Sequence, residues 1–168
     1  MYIAAACLMD GASQLLFLGE DLTLYKNILI STDGTELSKR AVLHGLALAK
    51  SLDARVTALT VMAPYSDASL WKIATHKGPE MYAKHIKSDA EKHIAQVEVA
   101  AAESDIDVNT IAATAHHPWE EIIDTAKKLG CDLIIMASHG RGGLNSLLLG
   151  SETQKVLAHS SIPVLVHR

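Results

Sequence analysis

Apolar positions recur along the chain in two alternating patterns. Asn27–Ser31 (NILIS) is a short apolar run ending at Thr32-Asp33-Gly34, which reads as a buried strand entering a polar turn. Thr35 can cap a helix over about Glu36–Lys50, where Leu37, Ala41 and Leu48 recur at helical spacing, and Asp53-Ala54 break it. Arg55–Met62 (RVTALTVM) is β-branched and apolar, a second strand. Ala63–Gly78 contains Pro64 and no regular period, which predicts a long loop over one end of a sheet. A long helix follows over about Glu80–Glu103, marked by Ile86, Ala90, Ile94, Val97 and Ala101 at spacings of three or four. Val108–Ala115 is a third strand. Pro118 opens a helix through Trp119, Ile122, Ile123 and Ala126 that ends at Gly130. Asp132–Ser138 (DLIIMAS) is a fourth strand, and helix Ser151–His159 with strand Pro163–His167 completes the pattern.

Strands alternating with helices predict a single-domain α/β fold: a five-stranded parallel open sheet with right-handed crossovers and helices on both faces. The near-continuous aliphatic runs NILIS and DLIIMA suit strands buried on both sides. In such sheets ligands bind beyond the carboxyl ends of the strands, where the strand order reverses. Two turns have suitable chemistry. The first is Ser31-Thr32-Asp33-Gly34. Asp33 stands where a carboxylate accepts a hydrogen bond from a ribose hydroxyl or an adenine amino group; in the same place it also shapes a turn or caps the next helix. The second runs from Ala137 through Ser138, His139, Gly140, Arg141, Gly142 and Gly143 to Gly150-Ser151. Its glycines permit positive φ and close approach to a ligand, and Gly150-Ser151 stands at the N-terminus of the closing helix, where free amides favour an anion. The segment is neither a Walker A loop nor an early GxGxxG, and an ordinary glycine-rich turn has the same composition.

Composition narrows the picture. A chain of 168 residues, 49% hydrophobic and 20% charged, fits one globular domain. Aromatics are only 4%, so the core must be aliphatic. A net charge of −4 argues against a general nucleic-acid or membrane-surface binder, but leaves room for one small anion site. No apolar run approaches the ~18 residues that span a bilayer. Cys7 and Cys131 have no metal-type spacing and read as reduced thiols of a cytoplasmic protein. Residues 1–24 lack Lys and Arg and have no secretory pattern; they read as a leader or packing arm, whose Leu15–Leu18 cluster needs a partner, ahead of a domain over 25–168. His85 and His93 lie eight apart on the long helix and read as solvated; His139 touches phosphate or shapes its turn.

From Tyr25 onward the chain resembles the universal stress protein family. The nucleotide-binding subgroup of that family carries G-x2-G-x9-G-[ST] after the fourth strand, matched here by Ala137, Gly140, Gly150 and Ser151 with MASHG before the spacer. STDGT at the end of the first strand and IPVLVHR at the C-terminus also match. The resemblance implies the Rossmann-like fold of the adenine nucleotide alpha hydrolases. It implies that Ser31, Thr32, Asp33 and Val61 cradle adenine and ribose. It further implies that Met136 to Gly143 and Gly150, Ser151, Glu152 and Thr153 hold ribose and phosphates of ATP, with Mg or Mn on the phosphates. Two positions depart: Ala137 replaces the first motif glycine, and His116 stands where the family often has glycine. Ala137 directly follows an extended run, so only a small side chain is needed there.

The donors for an anion come without an obvious general base. The expected function is therefore an ATP-binding stress-response sensor or adaptor with slow or no hydrolysis, acting on an unknown signalling partner. Two alternatives stay open: a nucleotide-free dimeric interaction module, and a slow metal-dependent ATPase with Glu152 or Asp33 on the metal. The final strand is short and at a sheet edge, and edges of this kind pair; in the family it pairs across a two-fold axis, so a homodimer is expected.

Overall fold

The computed structural model describes residues 24–64, 79–140 and 149–168. Five strands are present: β1 Asn27–Ser31, β2 Arg55–Met62, β3 Val108–Thr114, β4 Leu133–Ala137 and β5 Val164–His167. They alternate with α1 Glu36–Leu52, α2 Pro79–Glu103, α3 Pro118–Leu129 and α4 Ser151–His159. All strand pairs are parallel, in the order β3-β2-β1-β4-β5. This is the anticipated five-stranded α/β sheet, with element ends shifted by one or two residues.

Residue alternation along the central strands divides the core in two. Ile28 and Ile30 of β1 face α1 and α2, packing with Val42, Leu46, Val97 and Ala101. Leu29 faces the opposite side with Ile134 and Met136, under Ile122, Ile123 and Ala126 of α3 and Val156 of α4. β4 is buried along its whole length, as a strand covered on both faces must be, whereas the edge strand β3 is only half-buried.

Local chemistry sets the helix ends. Thr35 caps α1 by accepting from Ser38 N at 3.3 Å, and Asp53 ends it in the left-handed region at φ 52°. Gly130 ends α3 at φ 66°, where glycine carries no steric cost. Trp119 packs over the α3/α4 core and lies 4.7 Å from the His159 ring. Cys131 is buried and free, and burial pushes its thiol up to about 11, so it is not a nucleophile at neutral pH. The expectations for residues 1–23 (Cys7 and the Leu15–Leu18 cluster) and for the loop over residues 65–78 lie outside the described residues. Among the described residues no helix is long and apolar enough to cross a membrane.

Candidate functional site

The strand order reverses between β1 and β4, since β2 and β3 extend to one side and β5 to the other. Ile28, Leu29 and Ile30 pair with Leu133, Ile134 and Ile135, so the carboxyl ends of β1 and β4 emerge together. Ser31–Asp33 and Met136–Gly140 are thereby adjacent. Val61 is half-buried near the end of β2, on the α3/α4 side of the sheet.

Asp33 is anchored from its own turn. Its Oδ1 accepts from Thr35 N at 3.1 Å and from the Thr35 hydroxyl at 2.7 Å. Thr32 beneath it is buried, with its hydroxyl 3.1 Å from that of Ser38 and its amide donating to Leu59 O at 2.9 Å. The turn-shaping role of Asp33 is therefore real and is carried by Oδ1, the other carboxylate oxygen being Oδ2. That oxygen points at Gly140: a Cβ added there would overlap it. Gly140 does not have positive φ, so what its glycine provides is space for the Asp33 carboxylate and not a special backbone conformation. Gly34 is the opposite case, at φ +78°, with the His93 ring packed where its Cβ would project.

The closing helix is tied back to β4 in two places. Gly150 N donates to Ser138 O at 2.8 Å, and the buried Thr153 hydroxyl donates to Ala137 O at 3.0 Å. Ala137 itself is a buried strand residue outside the positive-φ set, so alanine in place of the motif glycine carries no backbone strain. These ties bring the N-terminus of α4 to the switch point. Its N-cap, Gly150, makes no side-chain cap hydrogen bond, and among the described residues no side chain caps the helix. Removing the Thr153 tie should be measurable: Thr153→Val leaves the buried Ala137 carbonyl unpaired and should cost about 1–3 kcal/mol in urea denaturation.

Other positions serve the frame. Glu152 turns to α3, its Oε2 accepting from Trp119 N at 3.0 Å and its Oε1 from Lys155 Nζ at 3.0 Å. Both oxygens are thus engaged with α3 and with α4's own Lys155. His139 Nδ1 lies 3.2 Å from the Ser138 hydroxyl, in keeping with a turn-shaping part. Ser151 is exposed. Arg141, Gly142 and Gly143 lie outside the described residues.

His93 corrects the expectation of two solvated histidines. It is half-buried against Gly34, next to Asp33. His85 stays exposed and pairs with Asp89 at 3.4 Å. The signal was present: His93 lies three after Ala90 and four before Val97, on the buried stripe of α2.

An open parallel sheet with this strand order and switch point defines the Rossmann-like α/β class. Within that class, residues 24–168 match the universal stress protein family model, and the chain belongs to that family. Universal stress protein MJ0531 of Methanocaldococcus jannaschii is 33% identical over 144 residues, covering 85% of this chain and 82% of that protein. The solved structure of MJ0577 is 31% identical, with a TM-score of 0.66, over 85% of this chain and 95% of that one. A universal stress protein crystallised in complex with cAMP shares the fold at 20% identity and a TM-score of 0.62, over 86% of this chain and 97% of that one.

Proposed function

We propose that this chain binds an adenine nucleotide, ATP in the first place, at the β1–β4 switch point and acts as a stress-response sensor or adaptor. The observation that carries the reading is the uncapped N-terminus of α4, held beside Asp33 and Gly140 by the Gly150 and Thr153 ties. Backbone amides there would donate to phosphate at ~1.5–3 kcal/mol for each charge-assisted bond. The helix dipole adds only ~0.3–1 kcal/mol. The amides therefore dominate, and they suit a phosphate without any cationic side chain. Asp33 Oδ2 would accept from ribose or the adenine amino group. The cAMP complex of a related fold supports an adenosine ligand. Magnesium or manganese, when bound with the nucleotide, would neutralise phosphate charge. Glu152 is engaged with α3 and Lys155, so the reading assigns no general base and expects slow turnover at most.

The same reading includes a homodimer through β5, an edge strand on which Leu165 is 39% exposed.

The test is equilibrium binding of ATP, AMP and cAMP to the purified chain, with and without magnesium, together with chromatography of any nucleotide released on denaturation. Micromolar ATP affinity is expected. At 100 times Kd the ligand should add about 2.7 kcal/mol of stability, visible as a rise in Tm. No binding at about millimolar ATP and no thermal shift would overturn the reading in favour of a nucleotide-free interaction module.

A further inference from the structure

The end of β5 carries a titratable pair that the nucleotide reading does not use. His44 on α1 and His167 on β5 meet edge to face, with ring centroids 4.5 Å apart and planes at 90°. The Nε2 of His167 is buried and, among the described residues, has no hydrogen-bond partner. A proton added there places charge on a buried atom, which desolvation disfavours.

The surrounding groups make that charge still less welcome. Arg40 lies one turn before His44 on α1, Arg168 follows His167, and across the sheet His167 is paired with Ala137 and bonded to the Ser138 amide, neither of which carries charge. α4 packs on the other face of β5, where Val164 points, so Glu152, Lys155 and His159 do not face the ring. Burial, then His44 and Arg40, hold the His167 ring below the ordinary histidine value.

His167 also holds the turn that leads into the site. Its carbonyl accepts from Ser138 N at 2.7 Å, while Ser138 O accepts from Gly150 N at 2.8 Å. The Ser138 peptide is therefore gripped by β5 on one side and by the start of α4 on the other.

We propose that the His44–His167 pair is an acid-released latch: neutral, it clamps the end of β5 to α1 and fixes the Ser138 turn; protonated, it frees both. The direction follows from linkage. Between the unfolded histidine value near 6.5 and the lower native one, the unfolded or opened state binds more protons, so the closed latch loses stability as pH falls through that window and keeps it above. The predicted loss of ATP affinity on acidification rests on the nucleotide reading above; loosening of Ser138 does not.

The experiment uses the full chain. Histidine ring signals are followed by NMR from about pH 8 to about pH 5, and hydrogen exchange at the Ser138 amide is measured over the same range, corrected for the intrinsic pH dependence of exchange. His167 should titrate below ~6.5. Protection at Ser138 should fall severalfold between pH 7.5 and 5.5, with about tenfold as the ceiling for one histidine, and ATP affinity by a similar factor. His167→Phe keeps a ring against His44 and removes the proton site, so both changes should shrink to less than about twofold. His44→Phe removes the neighbouring titratable ring and should raise the His167 value, which tests the same contact from the other side. A His167 that titrates at or above the ordinary value, or an undiminished Ser138 response in His167→Phe, overturns the latch. If ATP fails to bind at any pH, it is the nucleotide reading that fails, and exchange at Ser138 still decides the latch.

Discussion

Gly140→Val is expected to abolish measurable nucleotide binding while leaving the parallel sheet intact. The space that a Cβ would need at this position is already filled by the Asp33 carboxylate. One of the two must move. If Asp33 moves, its Oδ1 loses the Thr35 amide and hydroxyl, and the start of α1 is disturbed. If the Gly140 backbone moves, the turn from Ser138 to Gly140 changes its path. Either way the acceptor and the phosphate donors no longer face one ligand. Overpacking of this kind typically costs 1–3 kcal/mol, which a sheet with its core elsewhere can survive. The expected result is a loss of ATP affinity of at least about a hundredfold by titration, with far-UV circular dichroism unchanged. The double variant Asp33→Ala/Gly140→Ala separates the two effects: it should recover stability by relieving the overlap, yet not recover affinity. Unchanged ATP affinity in Gly140→Val would remove this turn from the site.

The alternation of strands and helices was legible in the sequence because each central strand is an unbroken aliphatic run and each turn has its own chemistry. NILIS and LIIMA could hardly be anything but buried strands, and Thr35 and Gly130 cap where their residue types require. The two candidate turns stood out for the same reason: they are the polar, glycine-bearing ends of those runs. What spacing could not reveal was which atoms face each other across the sheet. The need for glycine at 140 is set by Asp33, more than a hundred residues earlier, and it arises only because β1 and β4 are neighbours. Glu152, suspected of holding a metal, turns instead to the start of α3, a contact invisible in a linear reading. His167 looked like one more polar residue at a strand end. Only the docking of α1 on β5 brings His44 against it.

Ile30→Ala provides the complementary result, a large loss of stability with little loss of affinity. Ile30 is fully buried in the middle of the α1/α2 core, between Ala58 and Ile135 in the sheet and beneath Val42 and Leu46. Deleting three carbons there should cost about 2–5 kcal/mol in urea or guanidinium denaturation, the spread reflecting how far α1 can settle into the space. The missing atoms face the helix and not the switch point, so molecules that remain folded should bind ATP within about twofold of the unmutated chain. The pair of variants therefore separates two demands on β1. Its side chains hold the sheet to α1, and its carboxyl end presents Asp33 to the loop of β4. A loss of affinity in fully folded Ile30→Ala would mean that these demands are coupled, with the Asp33 turn positioned by the seating of α1 on the core and not by the turn's own hydrogen bonds.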